Sequence, residues 1–116
     1  MKRPTIVCLC GSTRFYEAFQ EANFRETMAG KIVLTVGFFA HRPEAILIHG
    51  ETLGISSEQK ILLDELHKRK IDLADEILVL NVGGYIGEST RSEIDYALEH
   101  CKRIFWLEPE EQPEKG

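Results

Sequence analysis

Short apolar strands that alternate with helical segments constrain this chain of 116 residues more than any other feature of its sequence. Four β-branched, apolar runs, typical of buried strands, are "TIVCLC" from Thr5, "KIVLTVG" from Lys31, "EILVLNV" from Glu76 and "RIFWL" from Arg103. Between the runs, apolar residues recur at helical spacing. This alternation predicts a parallel sheet with helices on both faces, joined by right-handed crossovers.

Three segments carry the helical pattern. The first ends at Gly30, which suits the position after a helix because glycine tolerates positive φ. The second runs from Glu58 to about Leu73 and the third from Ser89 to Cys101. Their apolar positions are Phe15, Ala18, Phe19 and Ala22; Ile61, Leu62, Leu66 and Leu73; and Ile94, Ala97, Leu98 and Cys101. The stretch 38–57 has no clear periodicity, which is typical of a lid or binding loop.

The predicted architecture is a single-domain, three-layer α/β fold. We expect a doubly wound parallel sheet of four or five strands in the order 2-1-3-4, similar to flavodoxin-like and Rossmann-like folds. The domain covers residues 1–107, and the acidic, proline-bearing segment 108–116 is expected to be a flexible tail. At this length a second domain does not fit.

Composition and charge exclude several classes of function. A hydrophobic content of 43% and a charged content of 28% are ordinary for a globular protein and give no membrane segment. A net charge of −5 argues against a nucleic-acid polymer as partner, because no positive surface field attracts one. We expect a cytoplasmic protein.

The cysteines Cys8, Cys10 and Cys101 are an odd count without CxxC spacing. A disulfide framework or a zinc site is therefore not expected. Cys8 and Cys10 are expected on opposite faces of one strand, as small buried hydrophobes in a reducing compartment.

Two loops follow strands that the order 2-1-3-4 places side by side, at the point where strand order reverses. Ligands of such sheets bind beyond the carboxyl ends of the strands at this point. The loops, "CGSTR" and "NVGGYIGESTR", combine glycines, hydroxyl side chains and an arginine at the start of a helix, where unpaired N–H groups attract anions. The candidate phosphate and sugar ligands are Gly11, Ser12, Thr13, Arg14, Gly84, Gly87, Ser89, Thr90 and Arg91.

A structural interpretation of the same residues is also open. Ser12 and Ser89 fit helix caps, Arg14 and Arg91 fit solvated side chains, and the glycines fit turns. Either loop alone favours this interpretation. The expected adjacency of the two loops favours binding of a small ligand.

Glu93 has two interpretations that the residues alone leave even. Thr90-x-x-Glu93 fits a capping box, in which the glutamate accepts a hydrogen bond from the cap residue. A carboxylate on the first turn of a helix and near an arginine is also expected to stay ionised, as a nucleophile or base requires.

Three segments in order, "CGST", "LHKRKIDLADEILVLNV" and "GGYIGESTRSEIDYA", resemble the nucleoside 2-deoxyribosyltransferase-like superfamily over residues 5–107. This superfamily includes the deoxynucleoside 5′-monophosphate N-glycosidases. The resemblance implies that Glu93 attacks C1′ of the sugar and expels the base. It also implies that Ser12 and Arg14, in a "GSxR" pattern, and Ser89 bind the 5′-phosphate.

Two positions depart from the pattern of these hydrolases. Cys8 stands where they carry a tyrosine near the sugar, and His67 stands where they carry an aspartate that positions or protonates the base. Asp72 and Asp64 lie nearby as substitutes, while Asp75 fits a cap of the helix-to-strand turn. His67 is itself a candidate general acid, although a histidine beside two basic residues is more often solvated.

Phe38 and Phe39, after the second strand, are candidates for stacking on the base, with one of them expected in the core. The resulting hypothesis is an enzyme that cleaves or exchanges the N-glycosidic bond of a nucleoside or its 5′-monophosphate through a glutamate nucleophile, without metal or cofactor. The alternative is a nucleotide-binding or sensing module with little catalysis. The resemblance further implies a homo-oligomer, most simply a dimer.

Overall fold

The computed structural model describes residues 2–37, 39, 47–48, 51–52 and 56–109. Its elements in chain order are β1 (Ile6–Cys10), α1 (Tyr16–Met28), β2 (Ile32–Leu34), β3 (Leu47–Ile48), β4 (Glu51–Thr52), α2 (Ser57–Leu73), β5 (Glu76–Val79), a 3-10 turn (Val82–Gly84), α3 (Glu88–Glu99) and β6 (Arg103–Trp106). The four strands and three helices predicted from the sequence are confirmed. Within the stretch that lacked periodicity, β3 and β4 pair as a short antiparallel hairpin.

The main sheet has four parallel strands in the order β2-β1-β5-β6, so the predicted 2-1-3-4 order is confirmed. The architecture is flavodoxin/Rossmann-like. After β1 the chain adds β2 on one side and later returns to add β5 on the other, in register with Cys8 opposite Ile77. The carboxyl ends of β1 and β5 are therefore neighbours where strand order reverses.

The two faces of the sheet bury separate sets of side chains, which gives the three layers. One face packs Val7 and Leu9 against Phe19 of α1. The other face packs Cys8 and Cys10 against α2 and α3. The prediction that these cysteines lie on opposite faces is wrong, because residues two apart on a strand share a face. A fully buried Val, Leu, Ile or Phe side chain contributes about 1.5–3 kcal/mol, so both faces stabilise the sheet.

The helix ends follow local sequence signals. Gly30 has φ +88 after α1, as expected for a residue beyond the last turn. Ser56 caps α2 in a capping box with Gln59, so this helix begins one residue before the predicted Glu58. Gly87 is the N-cap residue of α3, which begins at Glu88.

The residues that α2 buries are not the apolar residues predicted from its pattern. Ile61, Leu62, Leu66 and Leu73 are all more than half exposed, whereas His67 and Ile71 are buried against the sheet. The interpretation of His67 as a solvated residue is therefore wrong. Its imidazole contacts two thiols of β1, which supply polar partners inside the core.

Acidic side chains connect the amino ends of the strands. Glu76 of β5 is buried and pairs with Lys31 at 2.9 Å and with Arg103 at 3.1 Å. The Asp75 carboxylate accepts hydrogen bonds from the backbone N–H of Ile6 at 2.8 Å and from Arg3 at 2.8 and 3.1 Å. Asp75 therefore fastens the start of β1 to the start of β5.

The start of the predicted tail is held to the sheet. The Asn81 side chain donates to the Glu108 carbonyl and accepts from its N–H, each at 3.0 Å. The Glu108 carboxylate also accepts from the backbone N–H of Gly83 at 2.8 Å. Residues 110–116 of that tail lie outside the described residues. Among the helices described, none combines the length and apolar character needed to cross a membrane.

Candidate active site

A cleft of about 640 Å³ opens between the two predicted loops at the carboxyl ends of β1 and β5. This volume falls within the range of small-molecule sites. The described residues that line it are Gly11, Ser12, Thr13, Val36, Gly37, Lys60, Leu63, Asp64, Leu66, His67, Lys70, Tyr85, Gly87, Glu88, Ser89, Thr90 and Glu93. The expected convergence of the two loops on one crevice is thus observed.

Gly11 permits this convergence. A Cβ atom at Gly11 would lie 3.1 Å from the Leu80 Cβ and 3.2 Å from the Leu80 carbonyl oxygen. The Leu80 N–H donates to the Cys10 carbonyl at 2.8 Å, which holds the two chain segments at this separation. A side chain at position 11 would therefore push apart the ends of β1 and β5.

The first loop is a hydroxyl-bearing turn. The Ser12 hydroxyl accepts a hydrogen bond from the Arg14 N–H at 3.3 Å, and the Ser12 carbonyl accepts one from the Phe15 N–H at 3.0 Å. Because α1 begins at Tyr16, Ser12 shapes a turn and does not cap that helix. Ser12 and Thr13 both face the cleft.

Arg14 is not among the residues that line the cleft, but it contacts Tyr85, an aromatic residue of the second loop that does. Its guanidinium carbon is 4.3 Å from the Tyr85 ring centroid, and Nη2 donates to the Tyr85 hydroxyl at 3.2 Å. Arg14 is exposed, whereas Tyr85 lines the cleft. The two loops thus meet through a cation–π contact as well as through the backbone.

The start of α3 presents polar groups to the cleft. Gly87 precedes the helix, and Ser89 and Thr90 of its first turn line the cavity. The Ser89 hydroxyl accepts from Lys60 Nζ at 2.7 Å and donates to Asp64 Oδ2 at 3.3 Å. Lys60 and Asp64 also form an ion pair at 3.3 Å, so α2 and α3 are joined by polar contacts at the cleft wall.

Glu93 lies on the floor of the cleft with only 7% of its surface exposed. Because Gly87 is the N-cap and Glu88 the first residue of α3, Glu93 occupies the second turn. The capping-box interpretation with Thr90 is therefore wrong, as is the expectation that Glu93 lies on the first turn. Its carboxyl group lies beside His67 of α2 and lines the cleft.

Burial raises the pKa of the Glu93 carboxyl to about 7, although the nearby His67 acts in the opposite direction. The expectation that an arginine keeps this group ionised is wrong: the basic side chain beside it is His67, whose Nε2 lies 4.0 Å from Glu93 Oε1. A carboxyl with this pKa changes its charge near neutral pH, which is common in catalytic sites.

His67 joins Glu93 to the two cysteines of β1. Its Nε2 lies 3.5 Å from Cys8 Sγ, 3.6 Å from Cys10 Sγ and 3.0 Å from the Leu9 carbonyl oxygen. The Cys10 thiol, more than His67, lowers the pKa of Cys8 to about 6 against the effect of burial. Burial lowers the pKa of His67, but the contact with Cys8 outweighs it and the net direction is upward.

Some predicted site residues lie apart from this cleft. In the described part of the chain, Arg91 lines a separate surface hollow with Tyr96, and Gly84, with φ +81, belongs to the turn before α3. Asp72 is exposed, accepts a hydrogen bond from the Tyr96 hydroxyl at 2.5 Å and pairs with Arg69.

Of the two phenylalanines, one is described. Phe39 is partly buried and packs against the core on the α1 face, with its ring centroid 5.3 Å from that of Phe19. Phe38 lies outside the described residues.

Sequence reasoning missed Tyr85, Lys60 and Lys70 as cleft residues. Tyr85 carried a signal, since it is an aromatic side chain between glycines in "GGYIG". The two lysines carried one as well, because Lys60, Asp64, His67 and Lys70 are spaced by four, three and three residues and so share one face of α2. That polar face was overlooked because the apolar residues of the same helix dominated its pattern.

Comparison of the chain with protein-family models and with curated proteins found no match.

Proposed function

We propose that this protein cleaves or exchanges the N-glycosidic bond of a nucleoside or nucleoside 5′-monophosphate, with Glu93 as the nucleophile. The observation that carries the proposal is a buried carboxylate on the floor of a cleft formed by two glycine-containing loops where strand order reverses. The resemblance of "CGST" and "GGYIGESTRSEIDYA" to the nucleoside 2-deoxyribosyltransferase-like superfamily assigns the same role to the same glutamate.

The reaction proceeds in two displacements. A Glu93 oxygen attacks C1′, the bond between C1′ and the base nitrogen breaks, and the base leaves with that electron pair and takes up a proton. His67 lines the same cleft 4.0 Å from Glu93 and is the candidate proton donor. Water or a second base then attacks C1′ of the glycosyl ester and releases Glu93, as in retaining glycosidases.

Polar groups around the cleft suit the rest of a nucleotide. Ser12 and Thr13 on one side and the first turn of α3 on the other offer hydroxyl and N–H donors. Arg14, in contact with Tyr85, adds a cation within reach of an anion between the loops. We assign the 5′-phosphate to this loop end and the sugar to the space above Glu93.

Base release tests the proposal directly. Incubating the chain with a panel of nucleosides and their 5′-monophosphates is expected to liberate free base from at least one compound, measured by chromatography. Glu93→Gln is expected to reduce the rate by about a thousandfold or more, since it removes the nucleophile. Glu88→Gln is the matched control, because Glu88 also lines the cleft but is exposed. Absence of base release from every compound, or an equal effect of both substitutions, would contradict the proposal.

The second candidate is a nucleotide-binding module without efficient catalysis. The observation that favours it is the position of Asp72, which pairs with Tyr96 and Arg69 away from the cleft and so cannot protonate a base there. Calorimetric binding of a monophosphate without base release, and with equal affinity in Glu93→Gln, would select this function over the enzyme.

A further inference from the structure

The chemistry proposed for Glu93 leaves the two buried thiols beside it without a role. Cys8 and Cys10 of β1 share one face of the sheet and are fully buried. His67 contacts both from α2, in the helical layer that packs on this face of the sheet. The two sulfur atoms and one ring nitrogen all lie within 4.8 Å of one another, with the nitrogen 3.5 and 3.6 Å from the sulfurs.

The distances from the His67 nitrogen to the two sulfurs agree with the distances between neighbouring ligand atoms in a zinc site. Zinc bonds thiolate sulfur at about 2.3 Å and imidazole nitrogen at about 2.0–2.1 Å, and a tetrahedral angle then places the nitrogen about 3.5 Å from each sulfur. The observed nitrogen-to-sulfur distances match this value. The nitrogen is thus at ligand spacing from both sulfurs, and the sulfurs lie within 4.8 Å of each other, against about 3.8 Å in a tetrahedral zinc site. This partial preorganisation lowers the ordering cost of a metal site.

Glu93 adjoins the cluster. Its Oε1 lies 4.0 Å from His67 Nε2, and a tetrahedral zinc site places these atoms about 3.4 Å apart. The ligand atoms that lie within 4.8 Å of one another are those of Cys8, Cys10 and His67, so the carboxylate lies beside the cluster and not within it. Because Glu93 and His67 line the cleft while both cysteines lie behind them, the cleft floor is the route by which an ion enters.

The hydrogen bonds from the two thiols to the backbone are long. The Cys8 and Cys10 thiols lie 4.0 and 3.9 Å from backbone carbonyl oxygens, and the short contact is that of His67 Nε2 with the Leu9 carbonyl at 3.0 Å. Metal binding exchanges that contact for a metal–nitrogen bond, with the ring proton on Nδ1. Both sulfurs bind the metal as thiolates.

We propose that Cys8, Cys10 and His67 bind one zinc ion, whose fourth position opens toward Glu93 and the cleft. Two thiolates and an imidazole favour zinc over magnesium or calcium, which prefer oxygen ligands. Two cysteines, one histidine and one exchangeable position form a ligand set that zinc enzymes also use. The site goes beyond the proposed glycosidase and is defined by the thiols. With zinc on its Nε2, His67 would no longer donate a proton to a leaving base, so the two proposals require different states of this histidine.

Cobalt substitution tests the site in the absence of any nucleotide, so its failure is separate from failure of the glycosidase. Titration of the reduced 116-residue chain with Co²⁺ is expected to give, at one equivalent, the intense visible bands of tetrahedral cobalt and thiolate charge transfer in the near ultraviolet. Zn²⁺ is expected to displace them. Cys8→Ala and Cys10→Ala are expected to lose the charge-transfer band, and Cys101→Ala, which removes the exposed third cysteine, is expected to retain it.

Two measurements on the unsubstituted chain guard against a variant that fails to fold. Zinc binding measured by calorimetry is expected to saturate at one ion per chain, and X-ray absorption is expected to show two sulfur neighbours at about 2.3 Å from zinc. Only weak octahedral cobalt bands, no sulfur neighbour, or equal loss of binding in Cys101→Ala would overturn the proposal and leave a hydrogen-bonded thiol–imidazole cluster only.

Discussion

Replacing Gly11 by alanine tests how the fold brings the two loops together. The added Cβ would lie 3.1 Å from the Leu80 Cβ and 3.2 Å from the Leu80 carbonyl oxygen, both closer than ordinary contact. Neither atom belongs to the free end of a flexible side chain, and the Leu80 N–H is bonded to the Cys10 carbonyl at 2.8 Å. The strand ends must therefore separate to accept the methyl group.

The expected loss of stability follows from two opposing effects. Overpacking at a rigid contact costs about 1–3 kcal/mol. The alanine also restricts the unfolded chain, which stabilises the folded state by about 0.4–1 kcal/mol. The net destabilisation is about 1–2 kcal/mol, which for a domain of this size lowers Tm by about 3–12 °C.

Urea unfolding followed by circular dichroism measures the effect, with Gly37→Ala as the matched control. Gly37 also lines the cleft, but a Cβ there would meet none of the described residues within 4 Å. Gly37→Ala is expected to be neutral or stabilising by less than about 1 kcal/mol. If Gly11→Ala is as stable as Gly37→Ala, the close approach of β1 and β5 is not the reason for glycine at position 11.

Three further predictions concern charged residues. The Arg3 guanidinium, more than the Ile6 N–H, lowers the pKa of Asp75 to about 2, so Asp75 contributes stability above pH 4 that is lost as the pH falls toward 2. The urea midpoints of wild type and Asp75→Asn are therefore expected to converge over that range; a gap independent of pH, or the same convergence for Asp95→Asn, would contradict this. Glu76→Ala is expected to lower the free energy of unfolding, measured in urea, by about 3 kcal/mol. This is the lower end of the cost of breaking a buried ion pair, because its cationic partners are partly exposed. A loss below about 1 kcal/mol would refute this expectation. Arg14→Ala is expected to weaken calorimetric binding of a nucleoside monophosphate by about 1.5–3 kcal/mol while changing that of the nucleoside little; equal weakening would remove Arg14 from the phosphate site.

The fold could be predicted from the sequence because its signals are local and agree with one another. The runs "TIVCLC" and "EILVLNV" are apolar enough to be buried on both faces, and the glycines after them mark the loops. Strand order 2-1-3-4 places Gly11 and Ser89 at one crevice. Thus the location of the cleft followed from topology.

The errors concern side chains whose environment depends on contacts between distant segments. Glu93 was expected to be ionised near an arginine, but its burial depends on α2 packing across it, which periodicity does not reveal. The basic neighbours of His67 in the sequence favour a solvated side chain, yet His67 lies on the face of α2 that packs against the sheet and is buried. The two-residue period of a strand implies that Cys8 and Cys10 share one face, so this feature could have been predicted from the sequence.

The covalent intermediate tests the central claim most directly. Rapid acid quenching of the chain with the nucleotide that releases base, followed by mass spectrometry of the intact chain and its peptides, is expected to show one added sugar or sugar phosphate on Glu93. Glu93→Gln is expected to show no adduct, and Glu88→Gln is expected to form it as wild type does. An adduct on another residue, or base release that is undiminished in Glu93→Gln, would contradict the assignment of Glu93 as nucleophile.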